Sequence, residues 1–186
     1  MKINDEKFLT FLYEVTFETL KIHGSKGWTM DDICKNVGIS KDTLYRAVSN
    51  KEDLILKSLN FKINLHITHM ENIINSNSEY YNVFNNLVTV LFKTLENFSS
   101  KQLQSVLQAY PLSSQYTKKE FTKLIALIES FLQKGINNNF LRYNLDIPFL
   151  AKNIHYNILY IIEKENPKDY ENYINHYFDI LLNGIK

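Results

Sequence analysis

Thr29, Ser40, Lys41, Thr43, Tyr45, Arg46 and Lys51 fall in one short stretch of the chain. Three aliphatic hydroxyls, a phenol and three cations are the groups that give hydrogen bonds and positive charge to phosphate oxygens and base edges. Their placement strengthens that chemistry. Ser40 follows Gly38-Ile39 and is the expected cap of a short helix, so Ser40, Lys41 and Thr43 lie in a first turn whose N–H groups are still unpaired. Tyr45 and Arg46 come next on the exposed side, while Leu44 points into a small core with Ile33, Val37 and Ile39. Thr29 caps the helix before, with Asp32 completing a capping box and Trp28 and Ile33 forming a hydrophobic staple. Lys51 opens the helix after, where charge and a helix N-terminus both favour an anion.

Those groups need a scaffold, and the breakers in the sequence outline it. One helix ends near Val37 and the next restarts at Ser40, with Gly38 at the bend, which is the pattern of a helix-turn-helix. A short capped helix after a tight turn can enter a DNA major groove with its first residues against base edges. Before it, Phe8, Leu12, Val15 and Ile22 recur at helical spacing over about Asn4–His23, Phe11 and Leu20 widen the stripe, and Gly24 stops it. After it, Ser49 and Glu52 read as a capping box opening a long helix of Leu54, Ile55, Leu59, Ile63 and Ile67. Beyond the polar run Asn75–Ser78, helices are expected at roughly 79–98, 101–110, 115–136, 147–164 and 167–183, with Pro148 and Pro167 in first turns and Gly184 after the last. The fold class is all-α with about nine helices.

The run from Thr29 to Leu54 closely resembles the N-terminal domain of TetR-type bacterial transcriptional regulators. The family pattern is matched without gaps at Thr29, Ile33, Gly38, Ser40, Thr43, Leu44, Tyr45, Lys51, Glu52 and Leu54, with conservative changes at Val37 and Ile39. The resemblance implies a helix-turn-helix DNA-binding domain over residues 1–50 and an effector-binding and dimerisation domain over 51–186. It also implies that Thr29, Thr43, Tyr45 and Lys51 hold the DNA backbone while the third helix reads bases. The expected protein is a homodimeric repressor of a palindromic operator, released by a small apolar or aromatic effector. This sequence departs from the family at Asp42, where glycine is usual, and at Ala47-Val48, where an aromatic pair is usual. A carboxylate in a recognition helix opposes phosphates, though it could accept from cytosine N4. These departures support a rival reading: an all-α small-molecule-binding or protein-interaction module with a weakened helix-turn-helix.

Phe61, Leu65, His69, Phe84, Val88, Leu107, Tyr110, Phe121 and Ile128 have core spacing, and the same residue types would line an effector cavity between helices. The stretch Ile154–Ile162 is apolar almost all round, and the last helix presents Tyr170, Ile174, Tyr177 and Leu181 on one face. We expect a dimer interface through Ile154, Ile158, Ile161 and those four residues, because two-headed helix-turn-helix proteins read half-sites about 34–36 Å apart.

His66 and His69 share a helix face, but Glu71 points elsewhere, so no metal site is expected, and no cofactor. No nucleophile elbow, Gly-rich phosphate loop, H-E-x-x-H or C-x-x-C occurs, so no enzyme is expected. The single cysteine, Cys34, rules out an intramolecular disulfide and reads as a small buried apolar residue. Without a long apolar run or a leader pattern, the chain reads as cytoplasmic, with no membrane partner. Its 21 basic and 20 acidic side chains leave a net charge of +1. Residues 1–62 are nearly balanced as well, with 10 basic and 9 acidic groups. A bulk positive field is therefore not what would bring it to DNA; a few placed contacts must do so.

Overall fold

The computed structural model describes residues 5–98, 100–164 and 169–185. Among them the chain forms nine helices and no strand: α1 Glu6–His23, α2 Met30–Val37, α3 Lys41–Ala47, α4 Lys51–Ile74, α5 Tyr80–Phe98, α6 Lys101–Ala109, α7 Pro111–Asn137, α8 Ile147–Lys164 and α9 Tyr170–Ile185. They divide into two compact units, one of Met1–Leu65 and Ser100–Glu120, the other of His66–Ser99 and Phe121–Lys186. The expected division at residue 50 therefore does not describe the packing. α6 belongs with the first unit because it packs on α1, burying Leu103 and Val106.

The first unit has a core of Phe8, Leu12, Phe17, Leu20, Ile33, Leu44, Leu54, Ile55 and Leu59. The stripe of α1 differs from the expected one. Phe8, Leu12, Thr16 and Leu20 turn inward, whereas Phe11 and Ile22 are exposed. Thr16 can occupy a buried position because its hydroxyl donates to the Leu12 carbonyl at 2.8 Å, which satisfies the polar atom inside the helix itself. The opening of α4 also differs. Asn50, not Ser49, takes the Asp53 N–H on its side-chain oxygen at 2.8 Å, and the Asp53 carboxylate accepts from the Ser49 N–H at 2.8 Å. The cap is one residue out of the expected frame and is not reciprocal, since Asn50 takes the Asp53 N–H while Asp53 reaches back past Asn50 to the N–H of Ser49.

The second unit is built around Met70, Ile74, Val83, Phe84, Leu124, Phe131, Leu132, Ala151, Ile154, Ile174 and Phe178. Tyr80 is stacked between Phe131, at 4.7 Å and 6°, and Phe140, at 4.9 Å and 4°. Its hydroxyl lies against Gly135, where any Cβ would also stand 2.6 Å from Tyr80 Cζ and 2.8 Å from Leu141 Cδ1. Only glycine fits there. Lys134 donates to the Ile74 carbonyl at 3.2 Å and so closes the end of α4 from a distant helix. Pro111 starts α7 four residues before the expected boundary, its missing N–H costing nothing at a first helical position. At the chain end α9 runs through Gly184 to Ile185, which is buried and whose carbonyl accepts the Arg142 N–H at 3.1 Å. The expected first turn at Pro167 lies outside the described residues.

Candidate nucleic-acid interface and ligand cavity

In the first unit, Thr29 caps α2. Its hydroxyl accepts the Asp32 N–H at 3.3 Å, while its own N–H and O–H both donate to the Asp32 carboxylate at 2.8 and 2.7 Å. The hydroxyl bond, followed by the backbone bond, holds the Asp32 carboxyl below the usual carboxylate range. α2 ends at Gly38, in the left-handed region at φ 75°, ψ 38°, and its N–H returns to the Cys34 carbonyl. A Cβ at Gly38 would meet no neighbour, so glycine serves the backbone angle and not the space. Cys34 is buried, and burial first, then the Asp31 charge, pushes its thiol up, so it stays a protonated apolar filler.

Ser40 caps α3 by accepting the Thr43 N–H at 3.2 Å. The Ser40 and Thr43 hydroxyl oxygens stand 2.9 Å apart, so one hydroxyl donates to the other and one O–H of the pair is left for an outside acceptor. Leu44 is fully buried and anchors the helix. Lys41, Asp42, Tyr45 and Arg46 face solvent, with Tyr45 52% exposed.

The cations of this face are tied within the protein. Lys41 Nζ pairs with the Asp31 carboxylate of α2 at 2.8 Å, and that hydrogen bond raises the lysine pKa. Arg46 pairs with Asp42 one turn before it, at 2.6 Å. Both pairs are well exposed, so they hold their partners weakly and can be exchanged for a phosphate. Asp42 thus acts on Arg46 as much as it would on DNA. Lys51 is set differently. Its ammonium donates to the Trp28 carbonyl at 2.5 Å and lies 4.0 Å over the Trp28 ring, and burial holds its pKa below the usual lysine range. Trp28 is in turn fixed by its indole N–H, which donates to the Gly24 carbonyl at 2.8 Å. The sequence points to Trp28 as a staple and gives no signal of this second role. Trp28 and Lys51 are 23 residues apart, and only the fold joins them.

The second unit holds an apolar cavity of about 30 Å³, lined by Met70, Ile74, Phe84, Leu87, Val88, Leu91, Ile128, Phe131, Leu132, Ile154 and Phe178. Of the expected cavity residues, Phe84, Val88 and Ile128 line it. Phe61, Leu65 and Tyr110 belong to the other unit, Leu65 being 50% exposed, and His69 faces solvent. The side chains of Leu107 and Phe121 lie outside the described residues. Of the expected interface residues, Ile154, Tyr170 and Ile174 are buried in the core of this unit, and Tyr177 and Leu181 pack against it. Those of Ile158 and Ile161 lie outside the described residues. The most apolar faces of α8 and α9 turn inward because the unit needs them for its own core. Outside stand Phe149, Tyr156 and Tyr160 on α8, and Tyr173 and Ile180 on α9.

Among the described residues no group of three or more metal-binding side chains occurs, and no helix is long and apolar enough to cross a membrane.

Residues 12–57, from the second turn of α1 into α4, match the model of the bacterial regulatory proteins of the tetR family. The match covers the segment that holds the helix-turn-helix, and the chain as a whole has the all-helical fold of a solved transcriptional regulator described as a TetR/AcrR family member. Among solved structures it is similar to the ketosteroid transcriptional regulator KstR2 of Mycobacterium tuberculosis, at 19% identity over 100% of this chain and 97% of that one, TM-score 0.67. The fatty acid degradation regulator FadR of Bacillus halodurans aligns at 17% identity over 97% of both chains, TM-score 0.77. A TetR-family regulator of Agrobacterium tumefaciens aligns at 12% identity over 97% of this chain and 98% of that one, TM-score 0.76. Such identities establish the fold alone. No curated protein matches the sequence.

Proposed function

We propose that the protein is a cytoplasmic homodimeric repressor, not an enzyme, whose α3 enters the major groove of a palindromic operator and which a small apolar effector releases. The observation that carries this reading is α3 itself. It is capped by Ser40, anchored by Leu44, and presents Lys41, Asp42, Tyr45 and Arg46 outward from a domain that matches the family model. In this reading Ser40 or Thr43 gives its remaining O–H to a phosphate or base edge, and Lys41 and Arg46 exchange their carboxylates for DNA. Lys51 keeps Trp28 and gives its other N–H donors to a phosphate. Thr29 contributes by holding α2, since its hydroxyl hydrogen already serves Asp32.

Dimerisation is supported by the outer faces of α8 and α9. Phe149, Tyr156 and Tyr160 follow i, i+7, i+11, so they form one aromatic stripe, and Tyr173 and Ile180 follow i, i+7. The interface is thus assigned to these exposed residues, with Tyr177 and Leu181 beneath.

Effector binding would begin in the second unit. At about 30 Å³ the cavity is far below the roughly 300 Å³ at which ligand pockets start. In this reading an effector would select a form in which the cavity is expanded. Met70 and Ile74 of the cavity wall stand in the last turns of α4, whose first residue is Lys51. Displacing that end of one continuous helix would disturb the Lys51–Trp28 contact at the other.

The rival reading, a helical binding module with a weakened helix-turn-helix, draws on the internal pairing of Lys41 and Arg46. A gel-retention assay on the DNA upstream of the protein's own gene separates the two. We expect selective retention with two protomers per site, lost in Tyr156→Glu/Tyr160→Glu together with the dimer in sedimentation. Equal retention of random DNA would favour the rival.

A further inference from the structure

α9 has two exposed flanks. Tyr173 and Ile180 occupy one, while Asn175 and Asp179 stand on the other, with the half-buried Leu182 continuing it at i, i+4, i+7. The second flank borders a groove of about 220 Å³ shared with α5, which contributes Asn85 and Thr89. Three more residues complete the groove: Phe84, Val88 and Phe178, all buried. These same three also line the apolar cavity. One layer of side chains therefore separates groove from cavity. Phe84 and Phe178 meet there edge to face, with centroids 5.5 Å apart and an interplanar angle of 78°. Those two rings are therefore the side chains whose rotation would join the two spaces.

The rim is polar, and its charge is negative. Asp179 is its one charged group among the described residues. Thr89 donates its hydroxyl hydrogen to the Asn85 carbonyl at 3.0 Å, which leaves lone pairs on its oxygen. The side-chain amides of Asn85 and Asn175 both accept and donate, so the discrimination between head groups falls to Asp179. An ammonium carries three donors and no acceptor, so it suits this rim, whereas a carboxylate would face Asp179 with like charge.

We propose that the α5–α9 groove is the entrance to the cavity, gated by Phe84 and Phe178, and that Asp179 selects an effector with an apolar body and a protonated amine head. The proposal rests on the effector reading above and adds to it where the ligand enters and what head group it carries. The flank used is opposite the one assigned to the dimer, so both can be engaged at once.

Calorimetric titration of the full-length protein at neutral pH with octylammonium, octanol and octanoate tests each part. We expect octylammonium to bind about tenfold more tightly than octanol, and octanoate most weakly. Asp179→Asn should erase the preference, so that octylammonium and octanol bind the variant equally. Asn175→Trp, at an exposed helix position, should fill the groove and abolish octanol binding without lowering the melting temperature. If octanoate binds as well as octylammonium, or Asp179→Asn leaves their ratio unchanged, the head-group assignment falls and the effector reading stands. Octanol binding that survives Asn175→Trp would remove the entrance. If none of the three binds, the reading of this unit as an apolar effector site fails, and the proposal with it.

Discussion

The α2–α3 end of the first unit and the interior of the second are held by different physics. Thr29 with Asp32, Ser40 with Thr43 and Arg46 with Asp42 all act within four residues of each other, and Lys41 with Asp31 and Lys51 with Trp28 tie these local pairs together across longer separations. In the second unit the decisive contacts join distant segments: Tyr80 with Phe131 and Phe140, Lys134 with the end of α4, Tyr177 with Asn153 at 2.8 Å. The first arrangement fixes where polar groups point, and so suits an interface that reads another molecule's surface. The second fixes a shape, and so suits a space that an apolar molecule could enlarge. Trp28 is the chain's single tryptophan and is buried in the first unit, so its emission follows that unit alone.

Four perturbations would break or sharpen this contrast. The largest effect is expected from Leu44→Ala, which empties a fully buried site beneath α3 and should cost about 3 kcal/mol in urea unfolding followed by Trp28 emission. A loss under about 1 kcal/mol would mean that α3 is held by its caps alone.

Gly135→Ala should destabilise the second unit by about 2 kcal/mol, because the new methyl would overlap a tyrosine ring that two neighbouring rings hold in place. Circular dichroism should register it while the Trp28 transition of the variant moves less. Equal shifts in both signals would show that the two units unfold as one.

Lys51→Gln should weaken binding to operator and random DNA alike, by about tenfold, and should lower the salt slope by about one per protomer. The overall slope should be shallow for a two-headed binder, given 10 basic against 9 acidic groups in residues 1–62. A Lys51→Gln variant that keeps full affinity would leave Lys51 only its role at Trp28.

The smallest effect concerns His155, whose pKa burial lowers from 6.5. The folded state keeps the imidazole neutral, while the unfolded chain takes up a proton near the ordinary value. Stability from this group is therefore complete above about pH 6.5 and falls as the pH drops below it, by no more than about 1.4 kcal/mol per pH unit. His155→Gln should flatten that part of a melting-temperature profile; an unchanged slope would assign it to other groups.

Much of the candidate interface was legible because its signals are local. The Thr29 capping box, the Gly38 turn and the Ser40 cap each rest on residues a few positions apart, and each stands where the spacing predicts. The same reasoning slipped by one residue at α4, where Asn50 and Asp53 offer groups equivalent to those of Ser49 and Glu52. It was weaker for the apolar faces. Ile154, Tyr170 and Ile174 are as hydrophobic as an interface demands, but hydrophobicity does not say whether a face meets its own chain or another. Leu65 and Phe84 likewise share a pattern, yet one is half exposed and the other buried.

The sequence by itself determined the helices, the caps of α2 and α3, the outward set on α3 and the near neutrality of residues 1–62. Those follow from backbone hydrogen bonding, helical periodicity and charge, which act over a few residues or are simple sums. Only the tertiary structure decided that Lys51 grips Trp28, that Lys41 faces Asp31, and that Asp179 stands across a groove from Asn85 and Thr89. Each of these joins residues of different segments, from ten positions apart for Lys41 and Asp31 to about ninety across the groove. Their meeting depends on which apolar faces the units bury, and that choice is made by packing the whole unit at once.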